Sequence, residues 1–285
     1  TQKERHEDFR KSGRKHVLLI TNHGCHSREI HVTTDTGGQN FYVNDFAKAL
    51  LKLGYKVTIL NRGGYRHPVT GKMHKGVFYY DETFGKIGRY CRLLYLEDSI
   101  KDFIPKEKLK LKHLSEEVDF FFDKAQKLGI KVEDLFFISS HYWDGGIVGT
   151  LINRRLDRKV PHLWTPHSLG KLKRYNYRNK PKWIIKRLNF PTRIRNEEKV
   201  LSEVDGVVST SGKITNTLKK YNNKPPQYWF PPGIDMKVFK PRKNCNKAVK
   251  LINEFAGRQI YDKGKKVFLE VSRTARPKQK DVVMK

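Results

Sequence analysis

The chain has 285 residues, enough for one large domain or two smaller ones with a sizeable core and no need of covalent staples. Its three cysteines, Cys25, Cys91 and Cys245, lack CxxC spacing, which argues against a disulfide framework or structural zinc and for a reducing, cytoplasmic setting; no run reaches the roughly 18 apolar residues of a membrane span, and the charged start has no apolar leader. A formal charge of +30 draws in anions of any kind, nucleic acid, acidic lipid or phosphorylated substrate, or reflects general lysine use, so charge alone names no ligand.

Residues 1–15 read as a basic extension. From His16 short apolar runs alternate with helical patterns, which predicts an α/β fold: a Rossmann-like parallel sheet with helices on both faces. Strands are predicted at His16–Thr21, Tyr55–Leu60, Gly76–Tyr80, Asp134–Ser140, Pro161–Thr165, Asp205–Thr210 and Gln227–Phe230, most of them continuously apolar, as strands buried on both faces should be. In NDFAKALLKLG the expected inward face is Phe46, Ala49, Leu50 and Leu53, with Gly54 just past the helix end. Ser115 is the expected N-cap of a second helix that closes on Gly129. Beyond PPGID, Pro231 to Asp235, a polar stretch leads to a helix and a last strand, Lys265–Ser272. The expected division is a first domain over 16–240, a linker and helix over 241–264, and the start of a truncated second Rossmann domain over 265–285, so that the chain reads as a fragment of a longer protein.

Several segments carry candidate chemistry. DTGGQN, Asp35 to Asn40, opens a helix with adjacent glycines, where unpaired N–H groups and a partial positive charge suit an anion; it matches neither G-x-G-x-x-G nor a Walker loop, and a plain turn is the other reading. SSHYWDGG, Ser139 to Gly146, sets His, Tyr and Asp at a strand's C-terminal end before a glycine-started helix, and WTPHSLGKLK, Trp164 to Lys173, repeats the placement. Together with ITNHG they bring His23, His141 and His167 to the edge where parallel sheets bind ligands. Arg193 and Arg195 begin a further helix and either grip a phosphate or are solvated; VSRTARPKQK, Val271 to Lys280, suits a diphosphate or is a solvated tail.

Nine motifs in order then resemble the retaining GT-B glycosyltransferases of the family 4 type that includes sucrose-phosphate synthase, sucrose synthase and mannosylfructose-phosphate synthase: HG at His23, DTGGQNFYV, DFIPKE, SHYWDGG, TPHSLG, NF..RI..E, STS, PPGID...F.P and VSR. The resemblance implies an acceptor-binding N-terminal domain and transfer of a hexose with retention of configuration. His167, near the reacting centre, and His23, on the acceptor, match catalytic histidines. Gly37, Gln39, Tyr142, Asp144, Lys173 and Arg193 match acceptor positions, the two cations taking the 6-phosphate. Gly38, Arg273 and Lys278 match the donor diphosphate site. HSLG, rather than HALE, implies a phosphorylated acceptor such as fructose 6-phosphate, with UDP-glucose or GDP-mannose as donor substrate, no cofactor and no metal.

The family's Glu-x(7)-Glu is missing, since no two glutamates stand eight apart, so these residues alone are expected to be poor catalysts. A lipid or polysaccharide acceptor is the alternative within the class. Outside it stands a non-catalytic basic module using Lys171 to Arg195, where Tyr175, Tyr177 and Trp183 interleave with cations. No specific nucleic acid partner is expected; the basic surface admits peripheral contact with an anionic membrane, and the oligomeric state is left open.

Overall fold

The computed structural model describes residues 1–24, 26, 36–156, 159–234, 236, 240 and 246–259. They fall into two units, Thr1–Pro232 and Gly233–Lys285. The first is built on strands β1 (His16–Thr21), β2 (Lys56–Gly63), β3 (Tyr65–Arg66), β4 (Met73–His74), β5 (Val77–Tyr79), β6 (Cys91–Glu97), β7 (Leu135–His141), β8 (His162–Thr165), β9 (Gly206–Ser209) and β10 (Gln227–Trp229). Its helices are α1 (Gln2–Lys11), α2 (Gly38–Lys52), α3 (Asp81–Phe84), α4 (Leu111–Ala125), α5 (Tyr142–Arg154), α6 (Gly170–Asn176), α7 (Lys182–Arg187), α8 (Phe190–Leu201) and α9 (Gly212–Leu218). In the second unit the described element is α10 (Asn246–Phe255); the strand expected at Lys265–Ser272 lies outside the described residues.

Eight strands form one sheet in the order β10-β9-β8-β7-β1-β2-β6-β5, and β3 pairs with β4 in a separate hairpin. All neighbours in the large sheet are parallel except β5, which runs antiparallel along β6. The mostly parallel, helix-covered sheet is the predicted class. Strand β6 is the strand of the large sheet that the sequence reading passed over. Its run CRLLYLE is apolar, but Arg92 interrupts it, and that side chain is fully buried under the face of Phe9 at 4.0 Å.

Alternation along β1 distributes the core. Leu18 and Ile20 face α4, α5, α8 and α9 with Leu114, Phe121, Ile147, Val200 and Ile214. Val17 and Leu19 face α2 with Val43, Ala47, Leu50 and Leu51. Each such side chain contributes about 1.5–3 kcal/mol on leaving water. The face expected for α2 is therefore rotated: Leu50 does point inward, whereas Ala49 is exposed and Leu53 is 74% exposed, because positions 43, 47, 50 and 51 hold the stripe at three- and four-residue spacing. Gly54 follows the helix at φ +89°, as its predicted place requires.

Two helix starts are also corrected. Ser115 lies inside α4, whose N-cap is Lys110, with the His113 ring accepting the Lys110 N–H at 3.2 Å. Helix α5 begins at Tyr142, before the glycines. Gly145 and Gly146 sit where it crosses the sheet: a Cβ there would stand 2.8 Å from the Ile20 carbonyl oxygen and 2.9 Å from Trp164 Nε1, so only glycine lets the helix lie this close. The first fifteen residues hold α1, closed by a Thr1–Glu4 capping box and pinned by the fully buried Phe9.

Candidate functional site

The chain builds β1, β2 and β6 outward in one direction, then returns to lay β7, β8, β9 and β10 on the other side of β1. The C-terminal ends of β1 and β7 therefore diverge at a topological switch point, the place where open parallel sheets form a ligand crevice. Thr21 of β1 pairs with His141 of β7, and His141 pairs with Thr165 of β8, which aligns the loops after all three strands.

The loop after β1 carries His23, 9% exposed. Its Nδ1 lies 2.9 and 3.1 Å from the two carboxylate oxygens of Asp144, which is fully buried in the first turn of α5. A carboxylate accepts, so the imidazole proton sits on Nδ1 and Nε2 is left to engage a substrate. The Tyr142 ring meets His23 edge-on at 4.4 Å, and Asn40 of α2 donates to the His23 carbonyl at 3.5 Å.

The loop after β8 brings His167 to His141. The Nδ1 of His141 and Nε2 of His167 are 3.0 Å apart, the rings stack at 5.2 Å, and the edge of Tyr42 closes on His167 at 5.0 Å. One ring must donate and the other accept. Burial, with the adjacent ring second, pushes His141 well below the ordinary imidazole value. Burial, with His23 second, does the same to His167. Near neutral pH both are uncharged hydrogen-bonding groups.

A cationic wall stands beside Tyr142. The Arg193 guanidinium is 4.5 Å from the Tyr142 ring centroid, and Lys106 Nζ is 5.9 Å from it. Lys106 and Lys173 approach the same carboxylate, Glu107, each at 3.8 Å. Arg193 is fixed from behind: Nε donates to Glu197 at 2.8 Å and a terminal N–H donates to the Ser168 carbonyl at 2.6 Å. Glu197, fully buried, also accepts the Gly170 N–H at 2.9 and 3.0 Å and the Tyr221 hydroxyl, so it ties the His167 loop to α8. Burial of its phenol pushes Tyr142 up to about 12, against the opposing pull of the Arg193 charge. Among the described residues three that are not glycine have left-handed backbones, Tyr142, His167 and Asn189; Tyr142 and Asn189 line one small cavity with Glu107 and Arg193.

The profile of Glycosyltransferase Family 4 matches residues 36–238. The chain belongs to this family. A mannosylfructose-phosphate synthase from Agrobacterium fabrum is 32% identical over 234 residues, 79% of this chain and 47% of that protein. A probable sucrose-phosphate synthase from Thermosipho melanesiensis is 28% identical over 75% of this chain and 50% of its own length. A D-inositol 3-phosphate glycosyltransferase from Paenarthrobacter aurescens is 26% identical, covering 87% and 57%. Among solved structures, sucrose-phosphate synthase from Thermosynechococcus elongatus superposes with a TM-score of 0.64 at 25% identity, over 83% of this chain and 53% of that one. The chain thus spans about half the length of the relatives it matches.

In this family 4 chain the structure brings His23, Asp144, Tyr142, His167 and Arg193 to one edge, with Lys173 reaching the same wall through Glu107. Gly37 is the extended N-cap of α2, its N–H donating to Asn40 Oδ1 at 3.1 Å. Gly38 is exposed, and a Cβ there would meet no atom within 4 Å. The chain's own packing therefore does not demand that glycine. Gln39 is turned toward the strand end, donating to the Thr21 hydroxyl at 3.0 Å. Asp35, Arg273 and Lys278 lie outside the described residues. Sequence reasoning missed the roles of Lys106, Tyr42 and Glu197, although each stands inside a quoted motif: DFIPKE, DTGGQNFYV and NF..RI..E. Arg195, by contrast, is exposed on α8. Among the described residues no three His, Cys, Asp or Glu side chains are grouped to hold a metal ion, and no helix is long and apolar enough to cross a membrane.

Proposed function

We propose that this chain is the acceptor-binding part of a retaining hexosyltransferase, which moves a hexose from a nucleotide sugar to a phosphorylated sugar such as fructose 6-phosphate. The observation that carries the reading is the wall of Lys106, Lys173 and Arg193, gathered around Glu107 and Tyr142 beside the His23–Asp144 pair. A phosphate held by the cations places the sugar's hydroxyls against Nε2 of His23, whose tautomer Asp144 sets. His167, held neutral, offers a hydrogen bond near the reacting carbon without adding charge. In the transfer the acceptor oxygen bonds to the anomeric carbon, the bond from that carbon to the diphosphate breaks, and the acceptor proton leaves with the nucleoside diphosphate. The exposed N–H of Gly38, at the positive end of α2, faces developing negative charge on that leaving group; Arg273 and Lys278 are proposed to join it. UDP-glucose and GDP-mannose are the candidate donors.

The relatives named for inositol 3-phosphate make a phosphorylated cyclitol the competing acceptor. Isothermal titration with fructose 6-phosphate, fructose and inositol 3-phosphate tests the reading. Fructose 6-phosphate should bind and fructose should not, and Lys173→Ala should weaken binding about 10–100-fold, the worth of one charge-assisted hydrogen bond. Equal affinity for fructose would refute it, and tighter binding of the cyclitol would reassign the acceptor.

A further inference from the structure

The segment from α6 to α8 carries more charge than an acceptor phosphate needs. No Asp or Glu stands between Asp157 and Glu197, a span with twelve Lys and Arg residues. Some have internal duties: Lys171 pairs with Glu198 at 3.1 Å, Lys173 with Glu107 and Arg193 with Glu197. Arg174, Arg178, Lys180, Lys182, Lys186 and Arg187 are all exposed, and among the described residues none has a carboxylate within ion-pair distance. Like charges this close repel, a cost that an anionic partner would remove.

Helix α7 shows the form of that partner. Ile184, Ile185 and Leu188 are partly buried, while Lys182, Trp183, Lys186 and Arg187 are exposed, Trp183 by 65%. One large ring thus stands among three cations on the outward face. A single-strand track would offer successive open rings for bases. Here the Tyr175 ring is covered by the Arg178 guanidinium at 4.1 Å, and Tyr177 packs toward Phe190 at 6.2 Å. Trp183 has neither kind of cover among the described residues. A lone indole ringed by cations is the pattern of an interfacial anchor, with the ring at headgroup depth and the cations on lipid phosphates.

We infer that α7 and the flanking basic residues dock the protein on an anionic lipid bilayer, with Trp183 at the membrane interface. The inference is independent of the sugar acceptor. The full chain should co-sediment with vesicles rich in phosphatidylserine, not with vesicles of phosphatidylcholine alone, and salt should weaken the binding. Each exposed cation removed should lower partitioning about fivefold, so Lys182→Ala, Lys186→Ala and Arg187→Ala together should lower it about a hundredfold. The arginine variants Lys182→Arg and Lys186→Arg should bind as the parent does. Lipids brominated near the headgroup should quench tryptophan emission in the parent and not in Trp183→Phe. Equal binding to neutral vesicles would overturn the inference, as would no binding, or binding insensitive to the triple change in a chain of unaltered circular dichroism. Tighter binding of a single-stranded oligonucleotide through these same residues would also overturn it.

Discussion

Glu197 is the side chain whose loss tests the site's architecture most directly. It is fully buried and serves Arg193 Nε, the Gly170 N–H and the Tyr221 hydroxyl at once. Glu197→Ala leaves a buried guanidinium without its counter-ion, a loss of about 3–5 kcal/mol. The orphaned Gly170 and Tyr221 groups would add about 1–3 kcal/mol each if independent. They share one partner and one cavity, so the sum overstates the effect, and a net destabilisation of about 4 kcal/mol is expected. Against the roughly 5–15 kcal/mol that separates folded from unfolded states, this is a large share. Glu197→Gln should cost less, because an amide oxygen still accepts from Gly170. Urea unfolding gives the test through a cycle with Arg193→Met: removing the carboxylate after the guanidinium is gone should cost at least about 1 kcal/mol less than removing it first. Fructose 6-phosphate affinity should fall further in Glu197→Ala than in Glu197→Gln, since only the amide still anchors Gly170 and the loop that begins with His167. Strict additivity in the cycle, or a cost below about 1 kcal/mol for Glu197→Ala, would refute the hub.

Asp144→Asn should leave the fold standing but release the His23 tautomer, weakening fructose 6-phosphate about 10–100-fold in titration calorimetry. Gly38→Ala should raise the unfolding free energy measured in urea by up to about 1 kcal/mol, because the site has open space and ordinary helical demands; any ligand approaching that turn should bind more weakly. Acid should destabilise the chain: burial holds His26 near 3 and His162 near 4, and pushes His16 and His141 well below 6.5. Between those values and 6.5 the unfolded chain binds more protons, so stability is full above the ordinary imidazole value and falls as pH drops through that window, by about 1.4 kcal/mol per pH unit for each histidine. Glu117, raised by burial, acts with the opposite sign but is one group. A urea midpoint that stays flat from neutral pH down to the ordinary carboxylate range would contradict this.

The strands were legible wherever an apolar run stood between turn residues, which is why β1, β7, β8 and β9 fall where the sequence places them. Strand β6 was hidden by Arg92, a charged residue that the fold buries by giving it Thr58, Leu128 and His6 as neutral partners together with the face of Phe9. Two of those partners, His6 and Phe9, come from a segment that read as an extension, and no local pattern can reveal a contact between residues 9 and 92. The edge on which His23, His141 and His167 meet was predictable because strand direction alone sets it. What each nitrogen bonds to was not: the pairing of His141 with His167, and the burial of Arg193 on Glu197, depend on how α8 packs behind the loop after β8.

The strained backbones make the same point from energetics. A non-glycine residue in the left-handed region costs about 1–3 kcal/mol and persists only where its surroundings fix it. Tyr142 is fixed by Trp164, whose indole N–H donates to its carbonyl at 2.7 Å. Asn189 is fixed by the Arg193 N–H, which donates to its carbonyl at 3.2 Å, and His167 by the ring of His141. Each clamp comes from a core strand or from α8 rather than from the loop itself. The wall that would meet a phosphorylated sugar is therefore held by the same packing that holds the sheet, so its geometry is set before any ligand arrives and binding need not order these three loops.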